Sequence, residues 1–268
     1  MPRHSVTAVI LAAGRGKRMQ SDVPKVLHRL AGMTLLGRVA AVLRQIGIQD
    51  VAVVLGSDLE PFAEFLGEHP EMMVCRQPQA LGTGHAVGCA AGLFAGAPVP
   101  SNMPAGEVVR GRAQTRPYIL IVNGDAPAMN PVTLGSFVDE VVAAAAKLAV
   151  IGIDLPDPSG YGRLVLDDGR RLLRVVEERD TDVETRKVSL CNSGVVMAKS
   201  EWLFSLLGGL STRNSQAEYY LTDCFAASRE RGSGALVHVA EDWQGFLGVN
   251  TVEQLRQLEE WVVRSTRA

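Results

Sequence analysis

Short apolar runs alternate with segments of helical periodicity, and this alternation constrains the fold more than any other feature of the chain. Residues 6–11, 51–55, 118–122 and 148–153 read as buried strands. Between the first two, Leu35, Leu36, Val39, Val42, Leu43 and Ile46 recur at helical spacing, with Gly47 as a C-terminal stop. Residues 84–94 and 132–147 read as further helices. Strands alternating with helices imply an α/β fold around a mostly parallel sheet with right-handed crossovers. The pattern changes after residue 154. Residues 163–166 and 172–176 flank Asp168-Gly169, a hairpin turn signal, and residues 194–198 and 236–239 add short strands. This half is expected to extend the sheet and build one wall of a site.

Two segments stand apart. Residues 97–117 are rich in Pro and Gly with little periodicity, and a connection that long is either a functional loop or an insertion. Insertion is the expected reading. Thr251-x-x-Gln254 has the pattern of a capping box and opens a helix carrying Val252, Leu255, Leu258 and Val262 on one face.

A chain of 268 residues suits one large α/β domain with at most a small appendage. The formal net charge of -2 offers no global attraction to nucleic acid or an anionic membrane, so any phosphate must be held locally. Cys75, Cys89, Cys191 and Cys224 are scattered, with no metal-ligand spacing, as expected of core thiols in a reducing compartment. The apolar run at 6–11 is too short for a secretory signal and is followed at once by Arg15, Lys17 and Arg18. A cytoplasmic location is expected.

The strongest local signal is Leu11-Ala12-Ala13-Gly14 after the first strand, followed by the basic residues Arg15, Lys17, Arg18 and Lys25. A small-residue turn lets backbone N–H groups approach phosphate closely. Two familiar phosphate motifs fail. Gly14-x-Gly16-x-x-Met19 lacks the third glycine of a dinucleotide fingerprint, and Gly16-Lys17 precedes Arg18 rather than Ser or Thr. Taken alone, the segment is equally a tight turn beside a solvated basic surface.

Asp125 follows the third buried strand directly. Ligands of open α/β sheets sit beyond the carboxyl ends of the strands, so this carboxylate is placed to hold a metal–phosphate complex or merely to stabilise its loop. Gln77 and Gly82-Thr83-Gly84 suggest a base-reading amide beside a close backbone approach, although Thr83 would also serve as a plain helix cap. His85, just inside that helix, reads as structural. In the second half, Gly162, Glu177, Asn192, Glu218 and Asp223 place polar groups beside strand or helix ends, which suits sugar hydroxyls, although each taken singly also reads as a turn or a solvated edge.

In this order, the segments LAAGRGKRM with PKVLH, Gln77 through LGTGHA, Gly124-Asp125, GYGRL, VEERD, CNSGV, EYYLTD and GVN resemble the uridyltransferase domain of bacterial N-acetylglucosamine-1-phosphate uridyltransferases. The resemblance covers residues 6–255 and implies a Rossmann-like, mixed, mostly parallel sheet of the nucleotide-diphospho-sugar transferase type. It implies a nucleotidyltransferase domain over 1–250, with 97–117 as a loop insertion, and a C-terminal helix over 251–268. By that similarity, Leu11, Ala12, Ala13 and Gly14 cradle a nucleotide. Arg18 and Lys25 act on phosphates, and Gln77, Gly82 and Thr83 recognise uracil. Asp125 and Asn250 hold Mg²⁺. Gly162, Glu177, Asn192, Tyr219 and Thr222 face the N-acetylglucosamine. The implied partners are UTP and N-acetylglucosamine 1-phosphate, with no nucleic acid and no membrane, and a monomer or weak dimer is expected. Two departures stand out. Asn123 occupies a position where the family often carries Tyr, and no hexapeptide-repeat β-helix occurs, so acetyl transfer is not expected of this chain.

Overall fold

The computed structural model describes residues 2–14, 16–19, 21–94, 97–114 and 116–265. Arg15, part of the expected basic cluster, lies outside them. The strands are β1 (Val6–Ala12), β2 (Arg29–Leu30), β3 (Met33–Thr34), β4 (Val51–Leu55), β5 (Met73–Arg76), β6 (Glu107–Arg110), β7 (Tyr118–Asn123), β8 (Leu148–Asp154), β9 (Arg163–Leu166), β10 (Leu172–Val176), β11 (Leu190–Lys199) and β12 (Leu236–Ala240). The α-helices are α1 (Leu35–Gln45), α2 (Ala63–Glu68), α3 (Thr83–Cys89), α4 (Pro131–Ala143), α5 (Ser200–Leu207), α6 (Asp223–Glu230) and α7 (Val252–Ser265).

All but β2 and β3 join one mixed sheet in the order β10-β9-β11-β7-β1-β4-β5-β6, with β8 also paired to β11 and β12 to β8. β1, β4, β5 and β7 run parallel, so their carboxyl ends open on one edge. β11 turns back antiparallel to both β7 and β8. The sheet is therefore the mixed, mostly parallel one expected.

The continuous apolar runs follow from burial on both faces. Along β1, Val6, Ala8, Ile10 and Ala12 enter one core while Val9 enters the other, with Leu11 packed against it. The first core is closed by Leu36, Val39, Ala40 and Leu43 of α1 and by Leu134, Phe137, Val138 and Val141 of α4. The second is closed by α3, α5 and α6. Truncating one of these leucines to alanine costs about 2–5 kcal/mol.

α1 begins at Thr34, whose Oγ1 accepts from Gly37 N at 3.0 Å, and ends before Gly47 as expected. The hairpin of β9 and β10 turns differently from its sequence signal. The left-handed residue is Arg170, at φ 59°, rather than Gly169, because Asp167 closes the loop by accepting from Arg170 and Arg171. Residues 97–114 are woven into the structure: β6 pairs with β5, and Met103 and Ala113 are buried. On α7, Leu255, Leu258 and Val262 pack against Leu30, Leu35 and Val249, while Val252 is exposed. Among the described residues, no helix is long and apolar enough to cross a membrane.

Candidate active site

The cleft lies at the carboxyl ends of β1, β5 and β7. Parallel pairing sets Leu11 opposite Asn123, and Gly124 N donates to Leu11 O at 2.9 Å, so the small-residue turn and Asp125 emerge side by side. Gln77 N donates to Leu55 O at 2.8 Å, which brings the end of β5 to the same edge. A cavity of about 300 Å³ is lined here by Leu11, Ala12, Ala13, Gly14, Lys25, Gln77, Gly82, Thr83, Asn123, Asp125 and Glu218. Gly82 adopts φ 100°, and a Cβ there would lie 2.6 Å from Tyr219 O, so only glycine lets the loop pack against that segment.

A second cavity, of about 290 Å³, adjoins the first and shares Leu11, Thr83, Asn123 and Asp125 with it. Its walls carry Arg18, Tyr161, Gly162, Glu177, Asn192, Ser193, Thr222 and Asn250. Because β11 runs past the end of β7, Asn192 reaches this space, and its N–H donates to Gly162 O at 2.8 Å. Glu177 is fixed by Thr222, whose Oγ1 donates to Oε1 at 2.8 Å. Burial raises the Glu177 pKa above its ordinary value, and Asp223, Asp180 and Glu218 push it further, against the lowering effect of the Thr222 bond.

Where the cavities meet, Lys25 Nζ pairs with Asp125 Oδ2 and donates to Asn250 Oδ1 at 3.0 Å. Arg18 donates to the same Asn250 oxygen at 2.9 Å. Asn250 is itself positioned by α7: Gln254 Oε1 accepts from Asn250 N at 2.7 Å while Gln254 N donates to Thr251 Oγ1 at 3.1 Å. The capping box therefore closes one residue earlier than its sequence pattern implies. A carboxylate and an amide oxygen already converge on one cationic centre, and that donor set suits Mg²⁺ completed by water and phosphate. Among the described residues there is no cluster of three or more His, Cys, Asp or Glu to form an all-protein cage.

The sequence matches the MobA-like NTP transferase domain over residues 8–189, more than half of the chain. The chain belongs to this NTP transferase family. Proteins named Bifunctional protein GlmU are similar to it along its length. One from Cereibacter sphaeroides is 38% identical over 269 residues, covering 100% of this chain and 54% of its own length. One from Xanthomonas campestris is 38% identical over 270 residues, covering 100% and 54%. One from Halorhodospira halophila is 36% identical over 258 residues, covering 96% and 49%. The chain thus spans about half the length of the curated relatives it matches. In fold, it is similar to a candidate glucose-1-phosphate thymidylyltransferase from Bacillus anthracis solved with sucrose. That match has a TM-score of 0.72 at 18% identity and covers 96% of this chain and 94% of the other.

In this NTP transferase, one continuous cleft gathers almost every residue singled out from sequence. Tyr219 is not among them: its hydroxyl donates to Asn102 O at 2.6 Å, and its backbone supports the Gly82 loop. Tyr161, Asn123 and Ser193 are among the lining residues with no assigned role. Tyr161 accepts from Gly248 N at 3.3 Å, and its place inside the Gly160-Tyr161-Gly162 motif was the available signal. Asn123 sits on the boundary of both cavities beside Gly194, where a Cβ would collide with its amide. Ser193 precedes Gly194 on the same wall.

Proposed function

We propose that this NTP transferase moves a uridylyl group from UTP to N-acetylglucosamine 1-phosphate, giving UDP-N-acetylglucosamine and pyrophosphate. The observation that carries the reading is the pair of confluent cavities meeting at Lys25, Asp125 and Asn250. One has a glycine turn and a base-reading amide, and the other has carboxylate, amide and hydroxyl groups suited to a sugar.

The sugar-phosphate oxygen is already an anion, so its attack on the α-phosphorus needs no general base. The residues supply position and charge compensation instead. Backbone groups of residues 11–14 hold the triphosphate. Arg18 and Lys25 offset its negative charge, and Asn192, Glu177 and Thr222 orient the sugar. Asp125 and Asn250 would hold Mg²⁺, which supplies Lewis-acid polarisation of phosphoryl oxygens when bound. A cytoplasmic location suits these substrates and the free thiols Cys75, Cys89, Cys191 and Cys224, all of them buried.

The test is a matrix of four nucleoside triphosphates against glucose-, N-acetylglucosamine-, glucosamine- and mannose-1-phosphate with Mg²⁺, read by pyrophosphate release. Signal confined to UTP with N-acetylglucosamine 1-phosphate is expected. A dominant signal with another pair overturns the substrate assignment, and no signal with any pair overturns the reaction.

A further inference from the structure

His85 is fully buried at the first turn of α3 and takes no part in the chemistry above. Its two ring nitrogens have different neighbours. Nε2 lies 2.9 Å from Pro104 O, which can only accept, and 3.4 Å from Cys89 Sγ; the shorter contact to the carbonyl places the proton on Nε2. Nδ1, 2.9 Å from Gln77 Nε2, is then a lone pair and accepts from that amide. The same Gln77 nitrogen donates to Gly82 O at 3.1 Å. Both amide protons of Gln77 are spent, each on a group that can only accept. The amide has one orientation, and its oxygen has no partner among the described residues while the side chain lines the nucleotide cavity. A charged imidazole would present N–H at both positions and oppose the amide. Burial disfavours that charged form, lowering the ring's pKa more than the Pro104 and Gln79 carbonyls raise it.

We infer that His85 is a positioning residue for base selection: the chain Pro104–His85–Gln77 presents only an acceptor to the nucleobase, so the cleft selects a base with a ring N–H over one with a ring lone pair. The inference rests on the triphosphate-binding reading of the cleft and deepens it. Uracil and thymine carry an N3–H that meets the Gln77 oxygen, whereas N3 of cytosine turns a lone pair toward it. The relay also gives a role to Met103 and Pro104 in the segment expected to be an insertion. Met103 is buried against Gly88 of α3, which holds the neighbouring Pro104 carbonyl over the imidazole.

Two measurements test this. Long-range ¹H–¹⁵N spectra of the full chain are expected to show neutral His85 as the Nε2–H tautomer, with any titration midpoint below the ordinary value. The Nδ1–H tautomer, or titration near the ordinary midpoint of about 6.5, overturns the relay. Calorimetric affinities for UTP and CTP are then compared in the wild type, His85→Leu and His85→Asn. The UTP-over-CTP preference is expected to fall about tenfold in His85→Leu, with partial recovery in His85→Asn, whose side-chain oxygen can accept from Gln77. An unchanged preference in His85→Leu overturns the inference. A wild type that binds neither triphosphate overturns the functional reading instead, and the tautomer measurement still decides the relay.

Discussion

Lys25 Nζ donates to Asn250 Oδ1 at 3.0 Å while pairing with Asp125, so one ammonium joins oxygens from two distant parts of the chain. This cation offsets the Asp125 charge inside the cleft. Lys25→Ala is expected to lose roughly 2–4 kcal/mol of transition-state stabilisation, measured from kcat/KM, as for removal of one preorganised charge or donor. A rise in KM with unchanged kcat would instead mark a lysine that only binds.

Asp125→Ala should abolish turnover while the domain remains folded. The second readout is thermal: Mg²⁺ is expected to raise the Tm of the wild type and not that of the variant. Equal Mg²⁺ shifts in both proteins would remove Asp125 from the proposed metal site.

Glu177 predicts a pH-dependent stability. Its folded-state pKa is raised by burial, so the native state favours the protonated carboxyl. Its contribution is fully present below the ordinary value of 4.5 and is lost as pH rises through the higher folded value. Glu177→Gln keeps an oxygen for the Thr222 bond and removes the charge. The variant is expected to melt above the wild type at pH 7–8, with the gap closing as pH falls through the acidic range toward 4.5. Its affinity for the sugar phosphate should fall at the same time. A Tm gap that is constant with pH would show that ionisation is not the cause.

Gly82→Ala is expected to destabilise the chain by about 1–3 kcal/mol, because the position combines a left-handed φ with a close approach to the Tyr219 carbonyl. Denaturant unfolding measures the cost, and weakened UTP binding should accompany it, since Gly82 O also holds Gln77. Wild-type stability with intact binding would show that the loop relaxes freely.

Much of the sheet was readable from local pattern. β4, β9 and β10 match their expected bounds, and β1, β7, β8 and β12 gain a single residue at the carboxyl end. β11 is longer than expected at both ends because Leu190, Cys191 and Asn192 pair with β8 ahead of the apolar run and Lys199 pairs with Tyr118 after it. β5 and β6 escaped notice. Each is only four residues long; the apolar run of β5 is short, and β6 is nearly all exposed, with two apolar residues between charges. Met73–Arg76 is a strand because β4 and β6 flank it.

The sequence alone determined the α/β class, the turn after β1 and most of the residues that meet in the cleft. The first two rest on short-range periodicity and small residues at a strand end; the cleft residues were named through polar positions past strand ends together with the family resemblance. The tertiary structure alone decided hydrogen-bond partners: Lys25 with Asn250, Tyr219 with Asn102, and His85 between Gln77 and Pro104. Such pairings depend on strand order and on how a loop packs across the sheet. Side-chain direction there is set by neighbours remote in sequence, and no local pattern encodes it.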